Sequence, residues 1–469
     1  MKVTGKEEEG ESLAGVRREI QRVTEEILKL TAERMRLSRE VGRIKEAKEI
    51  PVEDIEVEKR LRAAVKDKSL ELGIDQDFAL RLLNLLIAQS VDIQRDTVSK
   101  RDVSPTIISQ WARRLEEKGR KIIHLETGEP DFPTPKPVID ALKTAVDEGH
   151  TGYNDAVGVQ PLREAVAKHL NRKLGTDLTQ DEVLITHGAR FGLYLALSTT
   201  LKPGGGALLF EPSYPAYRRI VDLFEGRPIA VRATLEDSWT PDIGAVKEAL
   251  DERPDVAILN YPSNPTGKIL DTGDFQAVVE RAARNDVPVI SDEVYRDYSF
   301  KQCPSILEYP GCRSVMLSSF SKSYSMTGFR IVYAVASKDD IAQMSCLQGL
   351  ALTCIPEFIQ RAAIKALECE DELTANVEKM RKRIKYAAKL LDRLPATFYP
   401  SDGGLYLFPR IDQPGFDSEK FASSLLEKHG VAVTPGTAFG NYRNYFRISL
   451  CQPEEQLKEA FEIMEDALK

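Results

Sequence analysis

The chain has little that would tie its fold to covalent bridges, metals or lipid. Its 469 residues include only six cysteines (Cys303, Cys312, Cys346, Cys354, Cys369, Cys451), and no two form a C-x-x-C pair. That argues against a zinc ribbon or a disulfide framework, so no metal site is expected, and it suits a reducing cytoplasm. No uninterrupted apolar run reaches the length that spans a bilayer. The stretch Met1–Gly10 is charged and lacks an apolar centre, so it reads as a tail rather than a signal peptide. Positive charge is not in excess: 65 Lys and Arg stand against 73 Asp and Glu, a net charge of -8. A general nucleic-acid binder is therefore not expected, and neither is a membrane protein. What is there is a 42% hydrophobic content, enough for sizeable cores. At about 150 residues per domain the length suggests several domains.

One stretch carries more chemistry than the rest: Ser318-Ser319-Phe320-Ser321-Lys322-Ser323, followed by Arg330. A free lysine, with a pKa of about 10.4, is a poor nucleophile at neutral pH. Desolvation or a cationic neighbour frees the amine to form a Schiff base. Ser319, Ser321 and Arg330 offer hydroxyls and a guanidinium fork for a phosphate dianion beside it. A lysine next to a phosphate clamp is what pyridoxal phosphate requires. A plain polar loop is the competing reading of this stretch alone.

The first hundred residues are helical. Leu13, Val16, Ile20, Val23, Ile27, Leu30, Arg34, Leu37, Val41 and Ile44 recur in alternating steps of three and four, the pattern of a helix packed along its length. It is expected over 12–48 and ends at Pro51. A second helix is expected over 54–72 with Gly73 as its cap, and a third from an Asp75 cap to about Asp96. Three such helices cannot bury their apolar faces in one compact monomer, so a homodimer is expected. Arg34 breaks the seam, and an unpaired buried guanidinium is costly, so an anion is expected to meet it. Lys45, 11 residues on, is roughly 16 Å along nearly the same face. Arg17 is too far round the helix to share that site except from a partner chain. The alternative is solvated charge on a long helix.

This pattern resembles the all-helical chorismate mutases over Leu13–Gln94, through Val16-Arg17-Arg18-Glu19-Ile20, Ala32-Glu33-Arg34, Val41-Gly42-Arg43-Ile44-Lys45, Pro51-Val52-Glu53-Asp54, Glu58, Ser90 and Gln94. The resemblance implies an intertwined dimer that rearranges chorismate to prephenate. Arg17 of the partner chain, Arg34 and Lys45 would hold the carboxylates and ether oxygen, and Asp54 the ring hydroxyl. Glu58 and Gln94 would face the substrate or its ether oxygen, and Ser90 would line the site. Catalysis would come from confinement and from cations placed where charge grows. Val57 departs from the family, which usually has arginine there; Arg60, one turn on, is a candidate substitute.

Beyond a linker at 98–104, short apolar runs alternate with helical stretches: Val183–Thr186, Gly206–Phe210, Val256–Asn260, Val287–Ser291, Ser314–Ser318 and Ile331–Val335. Alternation of this kind predicts an α/β sheet with helices on both faces, and ligand sites at the carboxyl ends of its strands. Candidate groups fall there. His187-Gly188-Ala189-Arg190 is a turn into a helix, suited to a phosphate. Asn264 sits in the proline-rich Asn260–Gly267 loop, and Asp292 with Tyr295 ends a strand. Tyr214 offers a ring to stack.

Together these motifs resemble the fold-type I pyridoxal-phosphate aminotransferases of the aspartate, aromatic and prephenate branch, over Ser104–Lys469. The resemblance implies that Lys322 is the Schiff-base lysine and proton shuttle, and that Asp292 pairs with the pyridine nitrogen. Asn264 and Tyr295 would bond the phenolic oxygen, and Tyr214 would stack on the ring. Ala189, Arg190, Ser319, Ser321 and Arg330 would take the phosphate, with Tyr153 reaching from a partner subunit. Arg447 would bind the substrate α-carboxylate and Gly128 close over it. Arg190 is also a candidate for selecting dicarboxylic substrates.

The expected architecture is thus a three-helix mutase-like domain (11–97) and an aminotransferase (105–469). The latter has a large subdomain at about 145–347 and a small one combining 105–144 with 348–469. The expected function is bifunctional: chorismate to prephenate, and amino transfer between aspartate or glutamate and a 2-oxo acid such as prephenate, an aromatic 2-oxo acid, oxaloacetate or 2-oxoglutarate. The protein is expected to be a homodimer or higher homo-oligomer. The alternative keeps the aminotransferase and makes the helical part a non-catalytic dimerising or ligand-sensing module.

Overall fold

The structure, a computed structural model, describes residues 13–47, 55–97 and 105–469. The expected tail, Pro51, Asp54 and the linker at 98–104 lie outside the described residues, as does the side chain of Gln94. The chain divides into two compact units, Met1–Arg101 and Asp102–Lys469.

The first unit holds helices α1 (Leu13–Ala47), α2 (Ile55–Leu72) and α3 (Gln76–Thr97). Each end has a local cause. Gly73 takes φ +65 after α2, which a side chain would resist. Asp75 accepts the Phe78 N–H at 2.8 Å and caps α3. Both α1 and α2 pack on α3. Among the described residues of this unit only Leu83 and Ile87 are buried hydrophobics, whereas the α1 seam stays in water, Ile20 at 61% and Ile27 at 54% exposure.

The second unit is built on a seven-stranded sheet. Its strands are β1 (Val183–Thr186), β2 (Gly206–Glu211), β3 (Arg227–Arg232), β4 (Val256–Asn260), β5 (Val289–Asp292), β6 (Ser314–Ser319) and β7 (Val332–Val335). Their order is β1-β7-β6-β5-β4-β2-β3, and only β7 runs against its neighbours. Alternate residues feed cores on opposite faces. Ala257 and Leu259 of β4 join one, Val256 and Ile258 the other. Burial on both faces is why the central strands read as unbroken apolar runs. Strand β3 was not expected. It pairs only with β2, carries Arg227 and Arg232 at its ends and Pro228 inside, and so has the polar, proline-bearing sequence of an edge.

A further core joins Ile123, Leu125 and Phe132 to the carboxyl-terminal third of the chain. Here Ile123–His124 pairs in parallel with Val431–Ala432, and the strand Phe446–Ser449 lies between Tyr406–Leu407 and Thr434–Pro435. All six cysteines are free thiols. Among the described residues no helix is long and apolar enough to cross a membrane, and no His/Cys/Asp/Glu group could hold a metal.

Candidate active site

Sheet register brings the site together. Asn260 ends β4 opposite Asp292, which ends β5, and the next strand, β6, ends in Ser319. These carboxyl ends open into a cleft of about 450 Å³. Gly128, Ala189, Arg190, Tyr214, Asn264, Asp292, Tyr295, Ser319, Ser321, Lys322, Arg330 and Arg447 all line it. Tyr153 does not; it lies at the surface, 90% exposed.

Lys322 sits on the short helix Phe320–Ser323, and its Nζ donates to the Gly128 carbonyl. Burial pushes its pKa below the ordinary lysine value, and the nearby Arg447 and Arg330 act in the same direction. Asp292 is buried, so its pKa is pushed up to about 6, although the Tyr217 hydroxyl, the Val294 N–H and the Lys322 amine all favour the carboxylate. Tyr217 donates to Oδ2 at 2.7 Å, and Asn260 Nδ2 holds the Asp292 carbonyl at 2.8 Å. A buried carboxylate facing a cleft fits a protonated ring nitrogen as its cationic partner.

The anion end is shaped by missing atoms. Gly188, at φ +75, opens the helix Gly188–Thr200, and a Cβ there would overlap Arg330 Nη2. Arg330 is itself left-handed, at φ +55, with Nη1 donating to the Thr327 carbonyl at 2.8 Å. Ser319 Oγ accepts the Ser321 N–H at 3.0 Å. A helix N-terminus, two hydroxyls and a guanidinium in one place fit a phosphate dianion. These residues fit pyridoxal phosphate.

Arg447 is 2% exposed. Nη1 donates to Asn264 Oδ1 at 3.0 Å, Nη2 to the Glu126 carbonyl, and the guanidinium lies 4.2 Å over the Tyr406 ring; Nε has no partner among the described residues. Tyr406 also meets Tyr295, hydroxyl to hydroxyl at 2.9 Å, and its hydroxyl would overlap a Cβ on Gly128. Arg190 was expected as a reader of distal carboxylates. Its Nε donates to Tyr214 OH at 2.6 Å and its guanidinium lies over that ring.

In the helical unit Arg34 Nη1 donates to the Leu86 carbonyl and to Ser90 Oγ. Both acceptors lie on α3, and burial lowers the Arg34 pKa. Arg17 is exposed, while Lys45 and Glu58 are half-buried. Sequence reasoning gave no role to Tyr217, Asn260, Tyr406 or Glu126. Tyr217 had a signal, being three residues past Tyr214 on the same helix start.

Comparison with known proteins agrees with this geometry. Residues 120–464 match the model for "Aminotransferase class I and II", and residues 16–95 that for "Chorismate mutase type II". The aspartate aminotransferase of Pyrococcus horikoshii is 34% identical over 368 residues, 76% of this chain and 94% of that protein. The aromatic-amino-acid aminotransferase 2 of Thermococcus litoralis is 33% identical, covering 74% and 92%. The crystal structure of aspartate aminotransferase from Thermotoga maritima superposes with a TM-score of 0.73 at 31% identity, over 77% of this chain and 96% of that one. The chain belongs to the class I and II aminotransferases, pyridoxal-phosphate enzymes, and carries a chorismate mutase type II domain ahead of the aminotransferase fold.

Proposed function

We propose that this chain performs consecutive steps of aromatic amino-acid synthesis: it rearranges chorismate to prephenate, then transfers an amino group from aspartate or glutamate to prephenate or an aromatic 2-oxo acid. The observation that carries the transferase reading is one cleft lined by Lys322, Asp292, Asn264 and Arg447. Bound pyridoxal phosphate supplies an electron sink for charge developing at the substrate Cα. The chain's residues do the rest. The Arg447 guanidinium binds the α-carboxylate and orients the Cα–H bond toward Lys322. The Lys322 amine, its pKa lowered by burial, would take and carry the Cα proton. Asp292 would keep a proton on the ring nitrogen. Tyr214 would pack against the ring, Tyr295 and Asn264 would donate to its oxygen, and Ser319, Ser321 and Arg330 with the 189–190 amides would take the phosphate. Tyr153 reaches a partner's site.

For the mutase, Arg34 and Lys45 of one chain and Arg17 of its partner hold the substrate anions, while Asp54, Glu58, Ser90 and Gln94 complete the site. The exposed α1 seam supports a homodimer, since burying each Leu, Ile or Val is worth about 1.5–3 kcal/mol. Domain limits of 11–97 and 105–469, and a cytoplasmic location, accompany this reading. The test is a panel of 2-oxo acids with each donor on the purified chain, alongside loss of chorismate absorbance. Transfer to prephenate and chorismate loss above the uncatalysed rate support the proposal. No chorismate loss would leave the helical unit a sensor or dimerising module, and no transfer to prephenate or any aromatic oxo acid would end the substrate assignment.

A further inference from the structure

Glu126 has no part in the chemistry above, yet it is fully buried in the cleft wall. Its Oε1 accepts from Ser109 Oγ at 2.8 Å and Thr127 Oγ1 at 3.1 Å, and meets His124 Nδ1 at 2.9 Å; Oε2 has no partner among the described residues. A buried carboxylate survives ionised only beside a cation. His124 is that cation. Its other nitrogen, Nε2, lies 3.1 Å from Glu116 Oε1, so carboxylates face both sides of the ring. Only imidazolium carries the two N–H donors that satisfy both. The Glu126 contact pushes His124 up to about 9, against the effect of its burial. Burial pushes the Glu126 carboxyl up, but His124, the Ser109 hydroxyl and a backbone N–H together bring it below the ordinary range.

The cluster joins two walls. Ser109 and Glu116 belong to the helix Pro105–Glu116, whose Thr106, Ser109, Gln110 and Arg113 line the cleft. The backbone that carries Glu126 gives its carbonyl to Arg447 Nη2, and two residues later the Gly128 carbonyl meets Lys322 Nζ. The two ion pairs of His124, with Glu116 and Glu126, and the Ser109–Glu126 hydrogen bond therefore tie this helix to the segment that meets Arg447 and Lys322.

We infer that His124 and Glu126 are positioning residues for the substrate-carboxylate site: the pair clamps the helix Pro105–Glu116 onto the 126–128 segment and so sets where Arg447 points. This rests on reading Arg447 as the α-carboxylate partner. The clamp acts on substrate binding rather than on proton transfer, so KM responds and kcat does not. It also depends on pH. The titratable groups facing His124 are Glu116 from the helix and Glu126 from its own strand; Gln452 meets only its backbone carbonyl, at 3.1 Å. The clamp holds while His124 is charged and opens as pH rises through about 9.

The test uses the full-length holoenzyme. Wild type is expected to raise KM for donor and acceptor about tenfold as pH passes that point, with kcat within about twofold. Amide hydrogen exchange of the helix Pro105–Glu116 should quicken over the same range. His124→Gln is expected to show the high KM and fast exchange already at neutral pH, and to lose the alkaline rise; Glu126→Gln should do the same. A wild-type KM flat across this range, or an alkaline rise that persists in His124→Gln, would overturn the inference. Arg447→Lys separates the two claims. If it raises KM while the His124 and Glu126 variants do not, the clamp alone fails; if it leaves KM unchanged, the reading of the cleft fails.

Discussion

A carboxylate placed in a dry site shows what the cleft asks of its residues. With its pKa pushed up to about 6 from the usual 3.8, Asp292 binds more proton folded than unfolded between those values. In protein stripped of cofactor its contribution to stability is therefore complete below about 3.8 and lost as pH rises through about 6. Asp292→Asn keeps an acceptor for Tyr217 and removes the charge. The stripped variant should melt above the wild type at neutral pH in calorimetry, while transamination falls on the order of a hundredfold. A stripped variant no more stable than wild type would mean that another group compensates for the buried charge. Lys322→Ala should lose roughly a thousandfold in turnover and all borohydride-fixed cofactor, read by mass spectrometry. Gly188→Ala would put a methyl onto Arg330 at a left-handed backbone position. Cofactor retention in equilibrium dialysis should weaken about tenfold, since the guanidinium must move off its anion. Lys322, Asp292 and Arg447 were legible as candidates because the chemistry asks for those side-chain types. Glu126 was not, because its setting comes from what packs beside it, and Tyr217 was marked only by its spacing from Tyr214.

Secondary-structure elements supply the alignment. Parallel pairing of β4 with β5 puts Asn260 beside Asp292 with no side chain recognising the other in sequence. The buried strands were legible as apolar runs; the edge strand β3 was not, because an edge tolerates the arginines and proline that hide it. Among helices, α1 is the decisive one. It carries Arg34, whose bonds to Leu86 and Ser90 on α3 hold the guanidinium in place without neutralising it. Arg34→Ala should cut chorismate rearrangement on the order of a hundredfold, measured by absorbance, and leave transamination unchanged. Equal loss of both activities would instead point to general unfolding.

The molecule as a whole is two compact units on one chain. Residues 102–469 expressed alone should keep transamination within a few-fold, since a domain with its own core folds by itself. Ile20→Glu with Ile27→Glu should lower the apparent mass of the helical unit's assembly in sedimentation, because both residues lie on the exposed seam. The sequence by itself determined the chemistry and the class of each unit. Heptad spacing, apolar strand runs and a lysine among hydroxyls are local patterns, written in residues near one another along the chain. Only the tertiary structure decided that Arg190 rests on Tyr214, that Arg34 meets a carbonyl and a hydroxyl, and that His124 lies between Glu116 and Glu126, whose carbonyl accepts from Arg447. Those contacts join groups far apart in the chain, and their strength depends on burial, which exists only once the sheet and its flanking helices have excluded water.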